Sequence, residues 1–120
     1  MPVYVIQVQL FNGDKKHENL FKCGYTANNV FGRVKGVVQE LRTAGYKEAR
    51  AGLWWCLLDG DIHDERRLLW VTENYTKLVE KRFPGTYFTE YRKYDAAHII
   101  FNWFKKRGGK TGPPFWTHYA

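Results

Sequence analysis

Tyr4, Lys22, Tyr25, Arg33 and Glu65 carry the groups that hydrolysis of a phosphodiester requires. A phenol can take a proton from water, a lysine and an arginine can hold a phosphate, and a carboxylate can anchor one divalent cation. The combination suits phosphoryl chemistry with a single metal ion. A free tyrosine ionises at about pH 10, so a tyrosine that acts as a base needs cations beside it, and Lys22 and Arg33 are the available ones. Arg33 also offers a planar fork for a bidentate grip on the scissile phosphate. Tyr25 is a second phenol, able to orient water or a phosphate oxygen. Mg2+ (or Mn2+) keeps most of its waters, so a single carboxylate, phosphate oxygens and water make an adequate shell. Asp64 and Glu73 are the rival carboxylates should the helix register differ. Each residue has an ordinary reading too: packing for Tyr4, solvated surface for Lys22, Arg33 and Glu65. His17, His63, His98 and His118 show no paired metal-ligand spacing. Gly108-Gly109 lacks the rest of a phosphate-binding loop and reads as a helix terminator.

These residues need elements to hold them. Val3 to Phe11 is short and rich in β-branched residues, so it reads as a strand. Asn12-Gly13-Asp14 is a hairpin signal, and Leu20 to Tyr25 is expected to return antiparallel. On that return strand Lys22 and Gly24 face one side, Phe21 and Cys23 the other. Gly24 would let a ligand approach the backbone closely. Asn28 or Asn29 caps a helix whose apolar stripe is Val30, Val34, Val37, Val38 and Leu41, with Gly45 as its stop. Ala51 to Leu58 reads as a central strand. Asp61 caps a second helix, with Asp64 in its first turn, expected to run to about Arg82 before Phe83-Pro84-Gly85. Thr86 to Tyr91 reads as a short edge strand. Asp95 is expected to cap a third helix with Ile99, Ile100, Trp103 and Phe104 on its buried face, before a Pro-containing tail. The order predicts an α+β fold, a small central antiparallel or mixed sheet flanked by about three helices.

The motifs, in this order, resemble the GIY-YIG nuclease superfamily, especially its phage and bacterial branch with a Lys-Ile-Gly-Tyr-Thr second motif. Pro2-Val3-Tyr4 stands where the family has Gly-Ile-Tyr, and Lys22-Cys23-Gly24-Tyr25-Thr26 stands at the second motif. Arg33 matches the family arginine of the following helix, and Glu65 the metal-binding glutamate of the next. Gly85-Thr86-Tyr87-Phe88 is similar to the strand that often closes the module. The resemblance covers roughly residues 2–91. It implies a GIY-YIG module over 1–91, an endonuclease that cuts DNA (or RNA), Mg2+ or Mn2+ on Glu65, and Tyr4, Lys22, Tyr25 and Arg33 as its other catalytic residues. A single such site would nick, and double-strand cuts would need a second copy of the chain, as a homodimer or in a second encounter.

Charge adds an expectation about the remainder. The chain has a formal net charge of +7. Residues 92–120 contribute most of it, with Arg92, Lys93, Lys105, Lys106, Arg107 and Lys110 against Asp95 alone. Trp103, Phe104, Phe115, Trp116 and Tyr119 lie beside these cations. A basic aromatic helix and tail, packed on or extending the same domain, is therefore expected to contact nucleic-acid backbone and stack on bases. Cys23 and Cys56 fall in strands, as buried thiols of a reducing cytoplasm do (the host cell's, if the chain is phage-encoded). No apolar run approaches the roughly 20 residues that span a bilayer, so no membrane partner is expected. Two rivals keep the same fold: a non-catalytic nucleic-acid binder, and a protein-binding module such as a phage inhibitor. The second is favoured by the five tryptophans, because exposed Trp anchors interfaces.

Overall fold

Strand β1 (Val3–Leu10) is buried along almost its whole length on both faces, which fits the middle of a sheet covered on two sides. The computed structural model describes residues 2–10, 18–27, 29–43, 46, 48–77 and 90–118. Strand β2 (Glu18–Tyr25) pairs antiparallel with β1, with Tyr4 opposite Gly24 and Ile6 opposite Lys22. Strand β3 (Arg50–Leu57) takes the other side of β1. The short β4 (Tyr91–Lys93) lies outside β2, and β5 (Lys110–His118) lies outside β3. The result is an α+β fold with a five-stranded antiparallel sheet ordered β4-β2-β1-β3-β5.

Helix α1 (Val30–Thr43) covers one face with Val30, Val34, Val37, Val38 and Leu41, the stripe that the sequence spacing predicts. These pack on Tyr4, Ile6, Val8, Leu10 and Leu20. Helix α2 (Ile62–Val71) and helix α3 (Ala97–Lys106) contribute to the core on the other face, where Leu68, Ile100, Trp103 and Phe104 meet Val3, Val5, Phe21, Cys23 and Trp55. Among the described residues no helix is long and apolar enough to cross a membrane.

Residues 110–118, which read in sequence as a tail, form β5. Its register against β3 breaks between Leu53 and Trp55, where Leu53 faces Phe115 but Trp55 faces Thr111. Gly112-Pro113-Pro114 occupies that break, so prolines that cannot donate to a ladder sit at an irregularity of an edge strand. On the opposite side β3 also slips against β1, with Val5 opposite Trp55 and Ile6 opposite Leu53. Trp54 is the extra residue of this bulge, and the adjacent Trp54 and Trp55 both reach the ring of Phe21, at 5.8 and 5.2 Å between centroids.

Two helix boundaries differ from expectation. Asp61 caps α2 in a capping box with Asp64: the Asp64 N–H donates to Asp61 Oδ1 (2.9 Å), and the Asp61 N–H donates to Asp64 Oδ2 (3.0 Å). This helix ends at Val71, however, not near Arg82. Thr72 closes it, its hydroxyl donating to the Leu68 carbonyl (2.7 Å), while Arg92 from β4 donates to the Leu69 carbonyl (3.1 Å). A terminus completed by a side chain more than twenty residues away carries no local stop signal. Helix α3 is preceded by a 3-10 turn, Tyr94–Ala96, so Ala96 rather than Asp95 stands at its cap. Its end is the expected one: Gly108 has φ 69° and the Gly109 N–H donates to the Phe104 carbonyl (2.8 Å). The hairpin turn at Asn12-Gly13-Asp14, the stop at Gly45, Phe83-Pro84-Gly85 and the motif Gly85-Thr86-Tyr87-Phe88 lie outside the described residues, as do Asn28 and Tyr119.

Candidate active site

The site lies at the end of β2, beside the described start of β4. The three residues of β4 pair with Leu20, Phe21 and Lys22, so among the described residues no strand covers the outer edge of β2 from Cys23 onward. There a pocket of about 410 Å³ is lined by Tyr4, Lys22, Gly24, Tyr25, Thr26, Ala27, Arg33, Glu65 and Glu90. All five catalytic candidates from the sequence therefore face one cavity, although Arg33 comes from the helix on one face of the sheet and Glu65 from a helix packed on the other.

Tyr4 and Gly24 are directly opposed in the ladder, and the phenol end of the Tyr4 ring lies over the glycine. A Cβ at Gly24 would fall within the atoms of that ring, so any other residue would drive the phenol out of its place. The space that the missing side chain leaves at Gly24 is thus filled by Tyr4, not by a ligand. The phenol is almost wholly buried, and its oxygen accepts a hydrogen bond from Arg33 Nε (3.3 Å). That bond is the leading reason why the Arg33 guanidinium is held above its ordinary pKa.

Lys22 sits two residues before Gly24 and so shares its face of the sheet. Only 2% of it is exposed. A buried ammonium needs an anion, and Lys22 finds one in Glu90, with a longer bond from Nζ to the Cys23 carbonyl (3.4 Å). Its Nζ also lies 5.8 Å from the centroid of the Tyr91 ring, the residue opposite it in β4. Glu90 was not among the sequence candidates. The signal for it was indirect: a lysine on an inward-facing strand position demands a carboxylate from somewhere.

Glu65 is half-buried in the first turn of α2. Its carboxylate makes no hydrogen bond or ion pair with another described residue. Burial first, and the like charge of Glu90 second, push its pKa above the usual carboxylate value, with Lys22 and Arg66 opposing. An unpaired carboxylate facing a second one in a polar cavity is a donor set that a divalent cation would relieve. The described residues hold no group of three or more His, Cys, Asp or Glu, so protein ligands alone would not complete a cage. The rival carboxylates are elsewhere: Asp64 is engaged in the helix cap, and Glu73 is exposed beyond the other end of α2.

Tyr25 is half-buried at the rim, packed against the α2 and α3 side. Cys23 points into that same core, and burial pushes its thiol up to about 12, which leaves it protonated and inert. His63 is exposed and does not line the pocket; His17 lies outside the described residues.

The basic residues expected to contact nucleic acid divide differently. Arg92 is a correction: it is 3% exposed, and its guanidinium binds Thr72 Oγ1 (2.9 Å) and the carbonyls of Tyr91 and Leu69. It joins β4 to the end of α2 and is no surface contact. Trp103 and Phe104 are likewise core residues, unable to stack on bases. Lys93, Lys105, Lys106 and Arg107 are exposed, with Arg107 lying 4.1 Å over the Trp103 ring. Lys110 opens β5, level with Cys56, and its side chain lies outside the described residues, as do those of Phe115 and Trp116. None of the described residues of this set lines the pocket.

Comparison with known proteins returns no matching family model, no matching curated protein and no matching solved structure.

Proposed function

We propose that the chain is a GIY-YIG-type endonuclease that hydrolyses DNA phosphodiester bonds with one divalent metal ion. One observation carries the reading: Tyr4, Lys22, Arg33 and Glu65, separated by up to 61 positions in sequence, line a single pocket. Lys22, Arg33 and a divalent ion on Glu65 would together outweigh the two carboxylates, so the cavity suits an anionic substrate better than a neutral one.

In this reading Glu65 would hold Mg2+ or Mn2+, which when bound supplies Lewis-acid polarisation of the phosphate and stabilises the departing oxygen. Tyr4, ionised to the phenolate that Arg33 Nε contacts, takes a proton from the attacking water; the water oxygen bonds to phosphorus, the P–O ester bond breaks, and the departing alkoxide takes a proton from solvent. Arg33 holds Tyr4 in place through Nε and presents the rest of its fork to the phosphate. Lys22 offsets the charge that develops on the phosphoryl oxygens. Tyr25 at the rim orients water. The exposed cations Lys93, Lys105, Lys106 and Arg107 supply backbone attraction without reading sequence.

The test is relaxation of supercoiled plasmid with Mg2+ or Mn2+ by wild type, Glu65→Gln and Tyr4→Phe. Nicking by wild type, lowered by about 10²-fold or more in each variant, is expected. Undiminished nicking by Glu65→Gln would overturn the metal assignment. Salt-sensitive DNA retention with no cleavage by any of the three would instead mark a non-catalytic binder on this fold.

A further inference from the structure

The buried ion pair of Lys22 and Glu90 is unequal. Lys22 has 3% of its side chain exposed and Glu90 has 19%. Lys22 is fixed in the interior of β2, with a paired strand on either side, whereas Glu90 immediately precedes the three-residue edge strand β4. If the pair opens, the carboxylate turns to water more readily than the ammonium. Glu90 also pays electrostatically for its place, because Glu65 faces it across the cavity and the two carboxylates repel. A buried lysine left without an anion is strongly unfavourable, so Glu90 can leave only if another anion replaces it.

The pocket is built to receive such an anion. Arg33 uses Nε for Tyr4 and has no other hydrogen bond or ion pair among the described residues, so its two Nη groups remain for a ligand. Lys22 and Arg33 both line the cavity, on its α1 side. A phosphodiester carries one negative charge, as Glu90 does, so exchanging one for the other keeps Lys22 neutralised throughout.

We infer that Lys22 is a phosphate-binding cation and that Glu90 is its placeholder, an internal carboxylate that occupies Lys22 until a substrate phosphate displaces it. The inference rests on the nuclease reading for the identity of the anion. The class of ligand is a phosphate ester or inorganic phosphate, held between Lys22 and Arg33. Glu90 is then a positioning residue: it keeps the ammonium folded inward and sets a threshold that weakly held anions do not cross.

The test is a gain of binding, which damage to the structure would not produce. Inorganic phosphate is titrated calorimetrically into metal-free full-length protein as wild type, Glu90→Gln, Glu73→Gln and Glu90→Gln/Lys22→Met. Glutamine keeps the shape of Glu90 and an oxygen that can accept from Lys22 while the competing charge is removed; circular dichroism checks that the variant is folded. Glu90→Gln is expected to bind phosphate about tenfold more tightly than wild type, the scale of coupling between close charges. Glu73→Gln makes the same change in net charge at an exposed position outside the pocket and is expected to show no gain. The Lys22→Met double variant is expected to lose the gain. If Glu90→Gln is too unstable to titrate, Glu90→Asp, which shortens the carboxylate, is expected to give a smaller gain in the same direction. Unchanged or weaker phosphate binding by a folded Glu90→Gln overturns the inference, as does an equal gain in Glu73→Gln. These outcomes separate it from the nuclease reading: Glu65-dependent nicking without a gain in Glu90→Gln sinks the placeholder alone. A gain in Glu90→Gln with no nicking by wild type sinks the nuclease and leaves an anion site.

Discussion

The pocket end of the sheet and the β3–α3 side use similar residues to opposite ends. Both are rich in aromatics and cations. At the pocket, Tyr4 and Lys22 are buried, and their polar groups turn toward one cavity, meeting Arg33 and Glu90. On the other side Trp55, Trp103 and Phe104 are buried as packing, while Lys105, Lys106 and Arg107 stay in solvent. Trp55 and Phe104 stack at 6.4 Å and Trp103 meets Phe104 edge-on at 4.9 Å. A charged, aromatic stretch of sequence is therefore no guide to chemistry until the direction of each side chain is known. The pocket gathers residues far apart in the chain, and the stretch that looked most like a nucleic-acid surface supplies much of the core.

The largest effect is expected from Phe104→Ala, which empties a fully buried site and should lower stability by about 3–5 kcal/mol in urea unfolding. Glu65→Gln, by contrast, should leave the unfolding midpoint nearly unchanged. Equal losses from the two would mean that the pocket is as structural as the aromatic layer.

Gly24→Ala comes next. The new Cβ meets the Tyr4 ring, and displacing it should cost about 1–3 kcal/mol while also abolishing the Arg33–Tyr4 contact and plasmid nicking. Full activity in this variant would exclude Tyr4 as the base.

Acid sensitivity follows from Glu65. Its carboxyl is raised by burial and by Glu90, and only the ionised form holds a metal. Divalent-metal binding should therefore fall as pH drops through a value above the ordinary carboxylate range, by about tenfold per unit below it. Glu90→Gln removes one of the two raising causes and should shift that limb to lower pH. Mn2+ titrations across pH read both.

The smallest effect belongs to the exposed cations of α3. Lys105→Gln with Lys106→Gln should change stability by no more than about 0.5 kcal/mol. DNA retention should weaken modestly, with a shallower dependence on salt.

Much of this arrangement was legible in the chain. The stripe from Val30 to Leu41, the hydrophobic run around Trp54 and Trp55, and the return of β2 onto β1 each follow from local periodicity. The site candidates were legible as residue types in order. What the sequence hid is set by distant contacts. The end of α2 depends on Arg92, β5 carries two prolines that its register break accommodates, and Trp54 joins Trp55 on one face only because of a bulge. Glu90 was hidden for the same reason, since its role is defined by a lysine on another strand.

The most direct measurement is anomalous diffraction from crystals soaked in Mn2+. A manganese peak bonded to the Glu65 carboxylate, inside the cavity shared with Tyr4, Lys22 and Arg33, is the expected result. A peak on other residues, with Glu65 left bare in a protein that still cuts DNA, would contradict it.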